Sequence, residues 1–167
     1  MPNDSTVAMR GGRVWYFAYG SNLCTAQMAA RTGVTYTGAN RPRRVRLPGY
    51  RLVFNMGDGS GQAFANIMRS GDGVLGVLYQ CSERELELLD GFERGYDRQQ
   101  VEVLDDAGTR TDAVAYIAKP EYTLPSGRPS PKYLGRVARG AREHGLPEEY
   151  IHSIEAVAGV SAEPEAG

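Results

Sequence analysis

Apolar residues come in short blocks set apart by glycine, proline and aspartate, and the spacing inside each block separates strand from helix. Residues 14–19 form an unbroken β-branched and aromatic run, which predicts a strand buried on both faces. Gly20 breaks the run. Ser21 or Asn22 then caps a helix predicted over 23–31, with Gly33 just past its end. Strands are predicted at 50–55, 63–68 and 74–80, separated by Gly57-Asp58-Gly59 and Gly71-Asp72-Gly73 turns. Ser82-Glu83-Arg84-Glu85 is a capping box that opens a short helix through Leu86, Leu88 and Leu89, expected to end near Asp90 or Gly91. Strands follow at 98–104 and 112–118. After a proline-rich connection, Ser130 caps and Pro131 begins a helix with Leu134, Val137, Ala138 and Ala141 at helical spacing. Gly145 ends it, and Pro147-Glu148-Glu149 starts a last helix with Tyr150, Ile151, Ile154 and Val157 on its apolar stripe.

One strand–helix unit, a run of strands around one helix, then two helices make an α+β order rather than a βαβ alternation. The 167 residues suit one domain, expected over 13–158, with a loose polar arm at 1–12 and an unstructured tail at 159–167. Mean hydropathy of -0.41 and the lack of a long apolar run exclude a helical membrane span. Residues 1–13 have no apolar core of a secretory signal, and two cysteines are too few for a disulfide scaffold, so a cytoplasmic protein is expected. A net charge of -1 argues against a dedicated nucleic-acid binder. Arg41-Pro42-Arg43-Arg44-Val45-Arg46 is the local exception, read as a solvated edge strand or loop.

Most motif matches fail on context. Gly71-Asp72-Gly73-Val74-Leu75-Gly76 spells G-x-G-x-x-G, but a strand and not a helix follows it, so it reads as a hairpin turn. No phosphate-binding P-loop and no G-x-S-x-G elbow occur. His144 and His152 stand far from Cys24 and Cys81 in sequence, without metal-ligand spacing. Two places carry chemistry. At Tyr19-Gly20-Ser21-Asn22 a strand turns sharply into a helix N-terminus, which is either an ordinary cap or a site for an anion or oxyanion. Glu93 shares a helical face with Leu86 and Leu89, so it is either a partly desolvated acid–base group or a solvated residue beyond the helix, paired with Arg94 or Arg98.

Residues 14–23, Val-Trp-Tyr-Phe-Ala-Tyr-Gly-Ser-Asn-Leu, closely resemble the opening motif of the γ-glutamylcyclotransferase family. Residues 76–79 and 89–93 resemble that family's strand, short helix and L-D-x-x-E segment, and residues 129–133, 140–147 and Tyr150 resemble its C-terminal region. The resemblance runs from Val14 to Ile154. It implies a small mixed β-barrel flanked by helices, with a cavity at one end. It also implies cyclisation of a γ-glutamyl group to 5-oxoproline with release of an amine or amino acid, and no metal or cofactor. Its catalytic glutamate matches Glu93, its substrate-holding loop matches Tyr19, Gly20, Ser21, Asn22 and Leu23, and its substrate tyrosines match Tyr96, Tyr116 and Tyr133. The partner implied is a small γ-glutamyl molecule, bound by a monomer or weak homodimer. Glu93-Arg94-Gly95-Tyr96-Asp97 is shorter than in similar relatives, which leaves the leaving group and the role of Tyr96 open. The competing readings are a non-catalytic small-molecule binding or regulatory module on the same fold and an amidase that uses Ser21 or Cys24.

Overall fold

The computed structural model describes residues 12–162. The elements run β1 (Arg13–Ala18), a 3-10 turn (Ser21–Leu23), α1 (Thr25–Thr32), β2 (Arg43–Leu47), β3 (Tyr50–Gly57), β4 (Ala63–Arg69), β5 (Val74–Ser82), α2 (Glu83–Phe92), β6 (Tyr96–Leu104), β7 (Arg110–Ala118), α3 (Pro131–Glu143) and α4 (Glu148–Ala162). Residues 1–11 of the expected arm and 163–167 of the expected tail lie outside the described residues, and α4 extends past the domain end expected at 158. Among the described residues no helix is long and apolar enough to cross a membrane.

Five strands form a barrel in the order β1-β5-β2-β6-β7, and β3 and β4 make a separate hairpin sheet. Two long antiparallel pairings carry the barrel. β1 meets β5 from Arg13↔Ser82 to Ala18↔Val77, and β6 meets β7 from Tyr96↔Ala118 to Leu104↔Arg110. Its two seams are slender. β1 touches β7 in parallel at Tyr16↔Val114, and β2 touches β6 at Arg46↔Leu104.

The unbroken apolarity of β1 follows from this arrangement, because a strand sends alternate side chains to opposite faces. Phe17 joins Val45, Leu78, Val101 and Ala115 in one buried cluster. Val14, Tyr16 and Ala18 join Tyr79, Leu89, Leu134, Val137 and Ile151 in the other, where α2, α3 and α4 cover the sheet. The arginine-rich stretch differs from its reading as a solvated edge or loop. Residues 43–47 are a barrel strand, since Val45 and Leu47 alternate inward while Arg44 and Arg46 stay exposed. The stretch is edge-like only toward β6. α2 also runs beyond its expected end to Phe92, because Gly91 does not take the left-handed conformation that stops a helix.

Gly76 of β5 shows how tightly the barrel is drawn. A Cβ there would lie 2.2 Å from the Ala18 carbonyl oxygen and 2.8 Å from Phe17 Cε1. Gly76→Val is therefore expected to lower the unfolding free energy by about 3 kcal/mol, the upper end of overpacking costs. Gly91 meets nothing within 4 Å, and Gly91→Ala is expected to raise it by about 0.5–1 kcal/mol. Urea unfolding of the two variants checks the contrast, and equal effects would contradict this packing.

Candidate active site

β1 hands the chain through Tyr19 and Gly20 to the 3-10 turn, and Cys24 caps α1. The turn is held from several sides. Tyr79 of β5 donates its hydroxyl hydrogen to the Asn22 carbonyl at 2.7 Å, and His144 Nε2 lies 2.9 Å from the Leu23 carbonyl. Leu23 itself is fully buried in the core and lines neither cavity described below. Gly20 has φ -116, so its place does not rest on a left-handed backbone. It rests on close approach, since a Cβ would lie 3.1 Å from Ala65 Cβ and 3.4 Å from the Tyr133 hydroxyl.

Asn22 is 3% exposed, and all four hydrogen-bonding positions of its amide are used. Nδ2 donates to the Tyr16 hydroxyl at 2.9 Å and to Glu93 Oε2 at 3.3 Å. Oδ1 accepts from Gln27 Nε2 at 2.9 Å and from Arg31 Nη1 at 3.2 Å. Ser21 accepts from the same Gln27 group at 2.8 Å, and Arg136 of α3 donates to Gln27 Oε1 at 2.6 Å. The amides of Ser21 and Asn22 open the turn and have no backbone acceptor among the described residues, and the Ser21 amide faces the Tyr133 hydroxyl.

Glu93 caps the C-terminus of α2, where its amide still bonds the Leu89 and Asp90 carbonyls. Its side chain follows the buried face of Leu86 and Leu89 and is 14% exposed. The spacing along the helix thus carries it inward and not into solvent. Neither arginine expected as its alternative partner reaches it. Arg98 binds Asp90 and Glu83, and Arg94 has no ion pair among the described residues. The cation that does reach it is Arg31 of α1, with Nη1 3.3 Å from Oε2. Burial pushes the Glu93 carboxyl up to about 7, although the Arg31 charge and the Asn22 hydrogen bond pull the other way. Asp90, one turn earlier, adds a weaker upward push.

A clamp fixes this end of α2. Asp90 accepts Arg98 Nε at 2.9 Å, Arg98 Nη2 at 2.7 Å and the Tyr116 hydroxyl at 2.6 Å. Arg98 and Tyr116 face each other across β6 and β7, so the barrel grips the helix three residues before Glu93.

The expected tyrosines all gather around the carboxyl. A recess of about 40 Å³ is walled by Tyr19, Gly20, Ser21, Asn22, Glu93, Tyr96, Tyr116 and Tyr133, with Tyr16 and Ala65 behind them. Their hydroxyls differ in what they are free to do. Tyr19 donates to the Tyr116 carbonyl, Tyr116 to Asp90, and Tyr96 to the Ala65 carbonyl at 2.7 Å. Tyr133 accepts from the Ala65 amide at 3.0 Å, which leaves its own hydrogen available to the recess. Through Ser21, Glu93, Tyr96 and Tyr133 the recess joins an outer cleft of about 690 Å³.

Among the described residues neither histidine hydrogen-bonds Ser21 or Cys24. His144 faces Leu23 and the Thr25 hydroxyl, and His152 pairs with Glu148 at 3.6 Å. Among the described residues no group of three His, Cys, Asp or Glu side chains could hold a metal ion. Gln27, Arg31 and Arg136 are site residues that pattern reading missed. Their local signal is faint: Gln27 and Arg31 lie four apart on α1, hence on one face behind the Ser21-Asn22 turn.

The AIG2-like family profile matches residues 73–154. Human γ-glutamylcyclotransferase is 32% identical over 152 residues, covering 85% of this chain and 77% of that protein. The bovine γ-glutamylcyclotransferase is 34% identical over 155 residues, covering 84% and 78%. A solved γ-glutamyl cyclotransferase structure has a TM-score of 0.72 at 29% identity, covering 86% of this chain and 87% of that one. With likeness of this degree across most of both chains and in three dimensions, the chain belongs to the γ-glutamylcyclotransferase family.

Proposed function

We propose that this protein cyclises γ-glutamyl amides, releasing 5-oxoproline and a free amine, with Glu93 as the general acid and base. The observation that carries the reading is a carboxyl poised at about 7 inside a recess, beside two strand-to-helix turn amides without a backbone acceptor among the described residues.

The substrate's α-amine is its own nucleophile, but near neutral pH it is protonated and inert until a base takes the proton. Arg31 and Asn22 both engage Glu93 Oε2, which leaves Oε1 toward the substrate. The carboxylate takes the ammonium proton, and the amine nitrogen attacks the γ-carbonyl carbon. The carbonyl oxygen becomes an oxyanion facing the Ser21 and Asn22 amides and the Tyr133 hydroxyl. Each such donor is typically worth about 3 kcal/mol in the transition state. Glu93, now a neutral acid, returns its proton to the departing nitrogen as the amide C–N bond breaks, and then takes the second proton from the ring nitrogen, which leaves a neutral lactam N–H and an amine that departs as its ammonium form. One carboxyl near 7 serves both steps, and ring closure inside one bound molecule gains from proximity.

Glu93→Gln is expected to lower turnover by about 10²–10⁴-fold with folding retained, since amide replaces acid without changing shape. Ser21→Ala removes an acceptor for Gln27 only, and about a fivefold loss is expected. Near wild-type turnover by the glutamine variant would refute the assignment.

The pH profile supplies a separate check. Activity on free enzyme requires the ionised carboxyl, so kcat/KM is expected to rise as pH climbs through about 7. Arg31→Met removes the charge that lowers the Glu93 pKa, and its acid limb should move to higher pH. Asp90→Asn removes a charge that raises it, and its limb should move to lower pH. Limbs that stay put in both variants would separate the profile from Glu93.

The product distinguishes cyclisation from hydrolysis. A γ-glutamyl amide with a free α-amine should yield 5-oxoproline and no glutamate by mass spectrometry, and its N-acetyl analogue should not react. Glutamate as the main product, or an acylated Ser21 during turnover, would favour the amidase.

A further inference from the structure

The 40 Å³ recess has room for only a few heavy atoms, those around the reacting carbonyl. Whatever is attached to the γ-nitrogen must extend past Ser21, Glu93, Tyr96 and Tyr133 into the 690 Å³ cleft. The charge on that cleft's wall is therefore the charge the leaving group meets.

That wall is strongly positive. Arg94 and Lys132 are exposed, and neither forms an ion pair or side-chain hydrogen bond among the described residues. Arg136 bonds only the neutral amide oxygen of Gln27. Lys132 and Arg136 are four apart on α3, so they share a face. Arg31 is already offset by Glu93. Against the other three cations the cleft wall sets one further carboxylate, Asp58, held below the usual range by hydrogen bonds from Ser60 and thus ionised. The wall beyond the Glu93–Arg31 pair thus sets three cations against one carboxylate, a net positive excess, while the whole chain carries -1. The excess is local to the cleft.

We propose that the preferred leaving group is an amino dicarboxylic acid, whose two carboxylates are received by Arg94, Lys132 and Arg136. The inference rests on the cyclotransferase reading above and names its substrate class. A simple amine offers these cations nothing, and a polyamine is repelled by them. An amino acid with an apolar side chain satisfies one charge and leaves the rest unpaired. The glutamyl end brings an α-carboxylate and an α-ammonium that cancel, so the two carboxylates of a dicarboxylate leaving group match the excess. The reaction needs no further reactant: in γ-glutamyl-aspartate the bond from the γ-carbonyl carbon to the aspartyl nitrogen breaks, the bond from that carbon to the α-nitrogen forms, and two protons of the α-ammonium pass in turn through Glu93 to the aspartyl nitrogen, which leaves as an ammonium.

The test compares four probes on the full chain: the γ-glutamyl derivatives of aspartate, alanine, ethylamine and putrescine. Formation of 5-oxoproline is followed. The expected order of kcat/KM is aspartate, alanine, ethylamine, putrescine, falling about tenfold for each carboxylate the probe lacks, mainly through KM. Raising the salt concentration should narrow the gap between aspartate and ethylamine, because the cations stand in solvent. In Lys132→Glu and Arg94→Glu, both at exposed positions where folding is not at stake, the aspartate-to-ethylamine ratio should fall at least tenfold. Equal kcat/KM for aspartate and ethylamine would overturn the proposal while leaving the cyclotransferase reading intact. So would an aspartate preference that survives both charge reversals. Absence of 5-oxoproline from every probe would defeat both.

Discussion

Everything in the site answers to one cost, that of burying the Glu93 carboxyl. A carboxylate taken from water into an apolar wall is unstable unless it is paired, hydrogen-bonded or protonated. Here the compensation is partial. Arg31 and Asn22 reach a single oxygen at 3.3 Å, long for charge-assisted bonds, and the other oxygen has no hydrogen-bond partner among the described residues. A tighter pair would hold the group permanently ionised, and no pair would hold it neutral. The intermediate geometry places the group between the two states, which suits the proton exchange proposed for it.

Such a balance survives only if its parts cannot drift. Asn22 has no spare hydrogen-bonding position, so its amide cannot rotate without breaking bonds to α1 or to Tyr16. Arg31 lies with its guanidinium 4.6 Å from the centre of the Phe92 ring, beside the very residue that precedes Glu93. On the opposite wall, the Ala65 peptide has its amide held by Tyr133 and its carbonyl by Tyr96. The hairpin is thereby stitched to the recess by two phenols. The inner site is built of mutually constrained groups, whereas the outer cleft presents long, solvated side chains that adapt to what they meet.

How much of this was legible in the chain follows from the range of each interaction. The strand at 14–19, the capping box at Ser82 and the helical register of Leu86, Leu89 and Glu93 are local patterns, and the structure keeps them. Residues 43–47 were less legible because arginines occupy the outward positions and leave only Val45 and Leu47 to mark the strand. Arg31 was invisible as a partner of Glu93, since the two are 62 positions apart and meet only when α1 packs beside α2. Tyr116 was expected near the substrate; its ring lines the recess beside Glu93, and its hydroxyl turns to Asp90, a direction that no sequence spacing encodes.

The slender parallel seam between β1 and β7 has a kinetic meaning. It joins the first strand of the barrel to the last, so it forms only after the intervening chain has been gathered, and loops of that length close late. The Ser21-Asn22 turn leaves from the end of β1, and the Asp90 clamp draws on β6 and β7. Half of the recess therefore arrives with the opening of the barrel and half with its close. Closing the barrel and completing the recess are thus one geometric event.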